Sequence, residues 1–263
     1  MKLRQDIIDL QDFIKRTVED AGADGVVIGL SGGVDSAVIA ALAQRALGPE
    51  KVMAVWLPYH ETVIPSISNL FHGADNILAL AKHLQLNLNC IDITTSVDAM
   101  IEGMTYIQTE AITTLTKGNM KARARMSALY LLANSTNNLV IGTTNKSEYE
   151  IGYFTKYGDG GVDFEPLLEF YKFEVREIAR ELELPNEYAN AVASAGLWEG
   201  QTDEQEFGFT YQELDSYLIW WSTMDCENVP SPVSVEVMNN IESMINNSRH
   251  KRDNIPSFLR DIA

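Results

Sequence analysis

Cysteine is nearly absent: the 263 residues hold only Cys90 and Cys226, and these form no C-x-x-C pair. A disulfide framework is thereby excluded, and both thiols are expected to be reduced, as in a cytosolic protein. Histidine is scarce too. His60, His72 and His83 show no spacing such as H-E-x-x-H, so they read as surface residues rather than metal ligands. Basic side chains are outnumbered, 20 Lys and Arg against 37 Asp and Glu, for a formal net charge of −17. Nucleic acid and anionic lipid are held by clustered Lys and Arg, so neither nucleic acid nor a membrane is an expected partner. No apolar run approaches the ~18 residues needed to span a bilayer. The opening "MKLRQDIIDLQDFIKRTVED" has no apolar signal core, which points to a cytoplasmic location.

The remaining composition is that of a globular protein, 46% hydrophobic and 22% charged. No internal repeat, low-complexity tract or linker is apparent, so one domain covering 1–263 is expected. Leu3, Ile7, Leu10, Ile14 and Val18 recur at helical spacing up to Gly22. After them, short apolar strands alternate with helices: "GVVIGL", then "VDSAVIAALAQRALG", "KVMAVWLP", "GADNILALAKHL" and "LNLNCIDI". A polar stretch leads to the helix "GNMKARARMSALYLLAN" and the strand "NLVIGT". Strands buried on both faces pair in parallel, which predicts a doubly wound, mostly parallel α/β sheet flanked by helices. Beyond Gly152 the pattern changes to long Gly-rich loops and helices near 172–184, 211–222 and 232–248, a helical C-terminal portion. In such sheets ligands bind beyond the carboxyl ends of the strands, here after Leu30, Pro58, Ile93 and Gly142.

The first of those turns carries two competing signals. Gly29 to Gly33 reads G-x-S-x-G, the spacing of a hydrolase nucleophile elbow, and His250 lies downstream. Yet only one strand precedes Ser31, and the elbow leaves Asp35 and Ser36 without a purpose. As an anion cradle the same stretch uses every residue. Gly32 and Gly33 let backbone N–H groups approach an anion, and the helix from Val34 points its positive end at it. Ser31 and Ser36 offer hydroxyl donors, and Asp35 can hold a cation on the phosphates. No G-K-[ST] follows, which excludes a Walker loop.

"SGGVDS" resembles the PP-loop of the ATP pyrophosphatase superfamily, whose members split ATP between its α- and β-phosphates. Four further segments resemble ammonia-dependent NAD synthetases: "KGNMKARARM", "GTTNKSEYEIGYFTKYGDGGVDFEPL", "AGLWEGQTDEQEFGFTYQELDSYL" and "SRHKR". They fall in the family's order and span most of the chain. The resemblance implies an adenine nucleotide alpha-hydrolase-like fold and ATP-dependent amidation of deamido-NAD by ammonia through an adenylated intermediate. It implies that Gly29, Leu30, Ser31, Gly32, Gly33, Val34, Asp35 and Ser36 hold ATP, with Thr143, Lys172 and Ser194. It also implies magnesium on Asp35 and Glu148, and deamido-NAD on Arg123, Lys156, Asp163, His250 and Lys251. Asp35 and Lys172 are then the catalytic pair, and a homodimer is expected.

Two polyanionic substrates require an acidic protein to concentrate its few bases, and Arg123, Lys156, Lys172 and Lys251 could do so. Alone, "KARAR" reads as a solvated basic face and "RHKR" as a charged tail. On a helix Lys121 and Arg125 share a face that Arg123 does not. Asp159 and Asp163 beside Gly160 and Gly161 read equally as turn formers. Glutamine-using relatives carry a large N-terminal domain, whereas here only a short helix precedes the PP-loop, so ammonia is the expected nitrogen source. Three features depart from the family pattern: Gly196 where Asp is common, "GTTNKSE" in place of the "GTDHAAE" type, and a long 59–75 segment. Rival readings are a PP-loop enzyme amidating another carboxylate, a tRNA-modifying PP-loop enzyme, and a non-catalytic nucleotide sensor.

Overall fold

A computed structural model describes residues 2–60, 75–104, 112–198, 200–223 and 229–258. His72, Cys226 and most of the 59–75 segment lie outside the described residues. Helix α1 (Lys2–Asp20) leads into β1 (Gly25–Gly29), α2 (Val34–Leu47), β2 (Val52–Trp56), α3 (Asp75–His83) and β3 (Leu88–Cys90). Then come α4 (Thr94–Glu102), α5 (Thr114–Ser135), β4 (Asn138–Val140) and α6 (Lys146–Ile151). The remaining helices are α7 (Lys172–Glu181), α8 (Asn186–Ala189), α9 (Asp203–Phe207), α10 (Tyr211–Ser222) and α11 (Val235–Arg252).

The strands form one parallel sheet in the order β3-β2-β1-β4. Val26 pairs with Val52 on one side of β1 and with Leu139 on the other. The chain winds outward from β1 to β3, then returns through α4 and α5 to β4. Its direction therefore reverses between β1 and β4, the switch point where open sheets bind ligands.

Side chains alternate across each strand and split the core in two. Val26 and Ile28 face a cluster with α1, α2, α3 and α7, whereas Val27 faces one with α4 and α5 that includes Val140, Val97 and Ala133. Helix α2 is apolar all round, and Ala37 to Ala43 are all buried. It can be so because α1 covers its outer side with Ile7, Leu10, Ile14 and Val18. A third cluster is purely helical, built on Ile151, Phe207, Phe209, Tyr211, Leu214, Tyr217, Leu218 and Ile241. The doubly wound sheet and helical C-terminal portion match the expected pattern.

Five elements depart from it. "LNLNCIDI" pairs only over Leu88–Cys90, because Asp92 accepts a hydrogen bond from Thr94 N (2.8 Å) and the chain turns into α4 at once. The polar stretch thus contains a helix. "NLVIGT" pairs with β1 over Asn138–Val140, and Ile141 bridges to Phe164 instead. Short helices α6 and α9 interrupt the long loops; α6 opens on an Asn145 side chain that accepts from Glu148 N and closes on Gly152 at φ 68°.

At the start of β1, a Cβ on Gly25 would stand 2.2 Å from the carbonyl oxygen of Lys51. That atom is backbone, so it cannot swing aside. Gly25→Ala is expected to lower stability by about 1–3 kcal/mol; urea unfolding measures it, and an unchanged midpoint would refute this packing of β1 on β2.

Candidate active site

The turn after β1 is shaped by two serines and two glycines. Gly32 lies at φ 80°, and a Cβ there would come within 2.3 Å of the Asn76 amide nitrogen. Ser31 Oγ accepts from Gly33 N (3.2 Å) and lies 3.1 Å from Ser36 Oγ, while Ser36 Oγ donates to Gly33 O (3.1 Å). Gly33 caps α2 with no side chain, so the first amides of α2 open onto a cleft. Ser31 is absent from the residues with positive φ, and its hydroxyl partners are a serine and an amide. The geometry is that of an anion cradle, not of a strained nucleophile elbow.

The cleft occupies about 580 Å³ at the β1/β4 switch point. At its base the Lys172 ammonium donates to Asp35 Oδ2 (2.6 Å) and Glu148 Oε1 (2.8 Å), with Lys172 only 2% exposed. Asp35 stands in the first turn of α2, Glu148 in the first turn of α6, and Lys172 opens α7. Three helix starts thus converge on one ion-paired group. Asn145 joins two of them: its Oδ1 accepts from Glu148 N (3.0 Å) and its Nδ2 donates to Asp35 Oδ1 (2.8 Å). The Tyr211 hydroxyl lies 2.8 Å from Asp203 Oδ2 and 3.1 Å from Glu148 Oε1, and the Tyr211 ring sits 4.9 Å from the Lys172 ammonium.

Burial alone would lower the Lys172 pKa, but the Asp35 and Glu148 carboxylates outweigh it and hold the ammonium charged. Burial pushes the Glu148 carboxyl up, Lys172 pulls it down, and Asp35 adds to the rise. Asp203 Oδ1 is buried without a hydrogen-bond partner among the described residues. Two carboxylates pair with one ammonium and a third, Asp203, stands beside them; they are oxygen donors of the type a divalent cation takes, but not arranged as a formed metal site. Among the described residues no group of three or more His, Cys, Asp or Glu has metal-holding geometry.

Of the residues expected at the site, Gly29, Leu30, Ser31, Gly33, Val34, Asp35, Ser36, Thr143, Glu148, Lys172, Ser194 and Lys251 line the cleft. Gly32 turns toward Asn76 instead. Arg123, Lys156 and His250 gather on one rim: Arg123 donates to Lys156 O (3.3 Å), and the Lys156 ammonium donates to His250 O. Lys251 gives its protons to Gly152 O (2.6 Å) and Phe154 O (2.7 Å), so "RHKR" fastens the 152–161 loop rather than forming a free tail. Asp163 is not among the lining residues; it is tied to Val140 N (2.7 Å) and the Tyr130 hydroxyl (3.0 Å). Ser194 Oγ accepts from Gly196 N (3.1 Å), and Gly196 lies at φ 60° with open space beside it. An Asp there would need the left-handed backbone, which it tolerates better than most residues.

Several lining residues lay outside the sequence reading. Arg125 reaches the cleft and donates to Leu57 O (3.1 Å), while its face-mate Lys121 donates to Leu197 O (2.6 Å). Asp203 and Tyr211 were quoted only as part of a motif. Asn145 carried a readable signal, a helix cap followed three residues later by Glu148.

The glycine turn and the cleft at the switch point define a doubly wound α/β protein with an anion-cradle turn rather than a Walker loop. Comparison makes the class specific. The NAD synthase family profile matches residues 6–255. An NH(3)-dependent NAD(+) synthetase of Thermococcus sibiricus is 40% identical over 250 residues, covering 94% of this chain and 93% of that one. Among solved structures, an NMN synthetase from Francisella tularensis matches with a TM-score of 0.84 at 33% identity, covering 98% of both chains. An NH3-dependent NAD synthetase from Campylobacter jejuni matches with a TM-score of 0.79 at 31% identity, covering 99% of this chain and all of that one. The chain belongs to the NAD synthase family and is a carbon–nitrogen ligase.

Glu165 underlies the Thr143 turn: its carboxylate accepts from Thr144 N (3.0 Å) beside Gly142. Burial pushes its pKa from 4.5 to about 8, and the Asp159 and Glu148 carboxylates add to the rise. The folded state therefore keeps a proton that the unfolded chain has lost, and stability falls as pH rises from 4.5 towards 8. Glu165→Gln is expected to raise the melting temperature at pH ~9 and change it little at pH ~5. Thermal unfolding at the two values checks this; an equal effect at both would contradict it.

Proposed function

We propose that this chain amidates deamido-NAD with ammonia, consuming ATP and giving NAD, AMP and pyrophosphate. The observation that carries the reading is the Lys172 ammonium held between Asp35 and Glu148 at the edge of the glycine cradle, inside the cleft. Family membership supplies the class of reaction, and the cradle supplies the site for ATP phosphates.

In the first step a nicotinate carboxylate oxygen attacks the α-phosphorus, and the bond to the bridging oxygen of pyrophosphate breaks. The leaving group's charge is met by the amides of Gly29–Ser36 and by Lys172, donors fixed before reaction begins. Thr143 and Ser194 contact ATP from the opposite lip. Ammonia then attacks the adenylated carbonyl carbon and AMP departs, with a proton lost from nitrogen. Magnesium, held by Asp35 and Glu148, would supply charge neutralisation on the phosphates. The rim cations Arg123, Lys156 and Lys251, with His250 and Asp163, hold the dinucleotide. Loops 153–163 and 195–209 shield the adenylate from water. One domain serves the reaction in the cytoplasm. The chain acts as a homodimer, a reading that rests on the family resemblance; Leu131 on α5 and Tyr157 are among the exposed apolar residues a second copy would cover.

The likeness to the Francisella tularensis NMN synthetase favours a second reading, in which the carboxylate belongs to a nicotinate mononucleotide. AMP release from ATP with ammonium and either nucleotide separates the two. Amide formation on the dinucleotide alone supports the first reading, on the mononucleotide alone the second, and on neither would overturn both. Lys172→Gln is expected to lower kcat by about 10²–10³-fold. The same substitution leaves Asp35 and Glu148 buried without their cation and should cost about 3–5 kcal/mol in unfolding free energy.

A further inference from the structure

We infer that Asp215 is a positioning residue that, through Ser147 and the first amides of α7, sets where the Lys172 ammonium stands. This rests on the reading above, in which Lys172 meets the ATP phosphates. Lys172 is the first residue of α7, so its side chain goes wherever the first turn of that helix is placed. A helix start leaves amides without intrahelical acceptors, and here three of them have a named one. Tyr171 N donates to the Glu174 carboxylate (2.9 Å), Lys172 N to Ser147 Oγ (2.9 Å), and Phe173 N to Asp215 Oδ2 (3.1 Å). The Ser147 hydroxyl then donates to Asp215 Oδ1.

Both Asp215 oxygens are therefore engaged, and Ser147 accepts and donates at once. Asp215 is 3% exposed and Ser147 fully buried, so water cannot replace a lost partner. Burial lifts the Asp215 carboxyl to about 6, and the bonds from Ser147 and Phe173 N oppose the rise, which leaves an ionised acceptor at neutral pH. Ser147 precedes Glu148 on α6, and Asp215 belongs to α10. One buried carboxylate thus ties the helix bearing Glu148 to the helix bearing Lys172 without touching the ammonium.

A helix cap alone would contribute stability of about 1 kcal/mol and nothing specific to turnover. A positioning role predicts more, because small displacements of a reacting group cost rate out of proportion to binding. The test uses the whole chain and follows AMP release with ATP, ammonium and deamido-NAD, or nicotinate mononucleotide where that is the substrate. Asp215→Asn preserves size but leaves Ser147 or Phe173 N without its acceptor. It is expected to lower kcat by about tenfold or more, while KM for the nicotinate substrate stays within about twofold. Ser147→Ala should do the same, and the double substitution should cost no more than the worse single one, since the pair acts as a unit. Should Asp215→Asn fail to fold, Ser147→Ala decides by the same kcat criterion. Folded single variants with wild-type kcat, or losses that simply add, would overturn the inference while leaving the proposed reaction intact. A wild-type chain that releases no AMP would instead overturn the reading on which it rests.

Discussion

The Lys172 ammonium, paired with Asp35 and Glu148, is the constraint on which the site depends. Each partner opens a different helix, so one buried charge holds α2, α6 and α7 at a common point. Such a pair is costly to desolvate and is retained only where its geometry is complete. Here Asn145 takes the second oxygen of Asp35, and the Tyr211 hydroxyl approaches the same Glu148 oxygen that Lys172 meets. Asp203 adds a third carboxylate beside the pair, its Oδ2 within 2.8 Å of the Tyr211 hydroxyl.

The sheet supplies the frame for this centre. Strands β1 and β4 lie side by side but are reached by opposite windings, so the loops above them diverge and leave a cleft. The glycine turn after β1 enters that cleft from one side and the 142–148 segment from the other. The helical C-terminal portion closes it: Lys251 and Arg252 of α11 donate to the carbonyls of Gly152, Phe154 and Tyr149. The 149–154 segment is therefore fastened to α11 by side-chain bonds to its backbone.

Much of this was legible in the chain. Apolar strands between helices gave the parallel sheet, and α1, α2 and α10 fall close to their expected limits, because their periodicity or capping is local. Elements whose existence depends on a cap or a partner were less visible. Helix α4 follows β3 without a break, and α6 is only one and a half turns long, stabilised by Asn145 rather than by an apolar face. The bonds of Asp163 were equally invisible: its carboxylate accepts from Val140 N and the Tyr130 hydroxyl, partners that only the packing of β4 and α5 brings to it.

By itself the sequence determined the class of chemistry. The spacing of Ser31 to Ser36 after an apolar strand sets up a turn that can cradle an anion, because glycine backbone freedom and a helix start are properties of adjacent residues. Only the tertiary structure decided which distant groups complete it. That Lys172 meets Asp35 across 137 positions, that Arg125 and not Arg123 enters the cleft, and that Asp215 backs the start of α7 all depend on how helices pack over the sheet. No local pattern encodes those distances, since they arise from the burial of three separate apolar clusters around one charged centre.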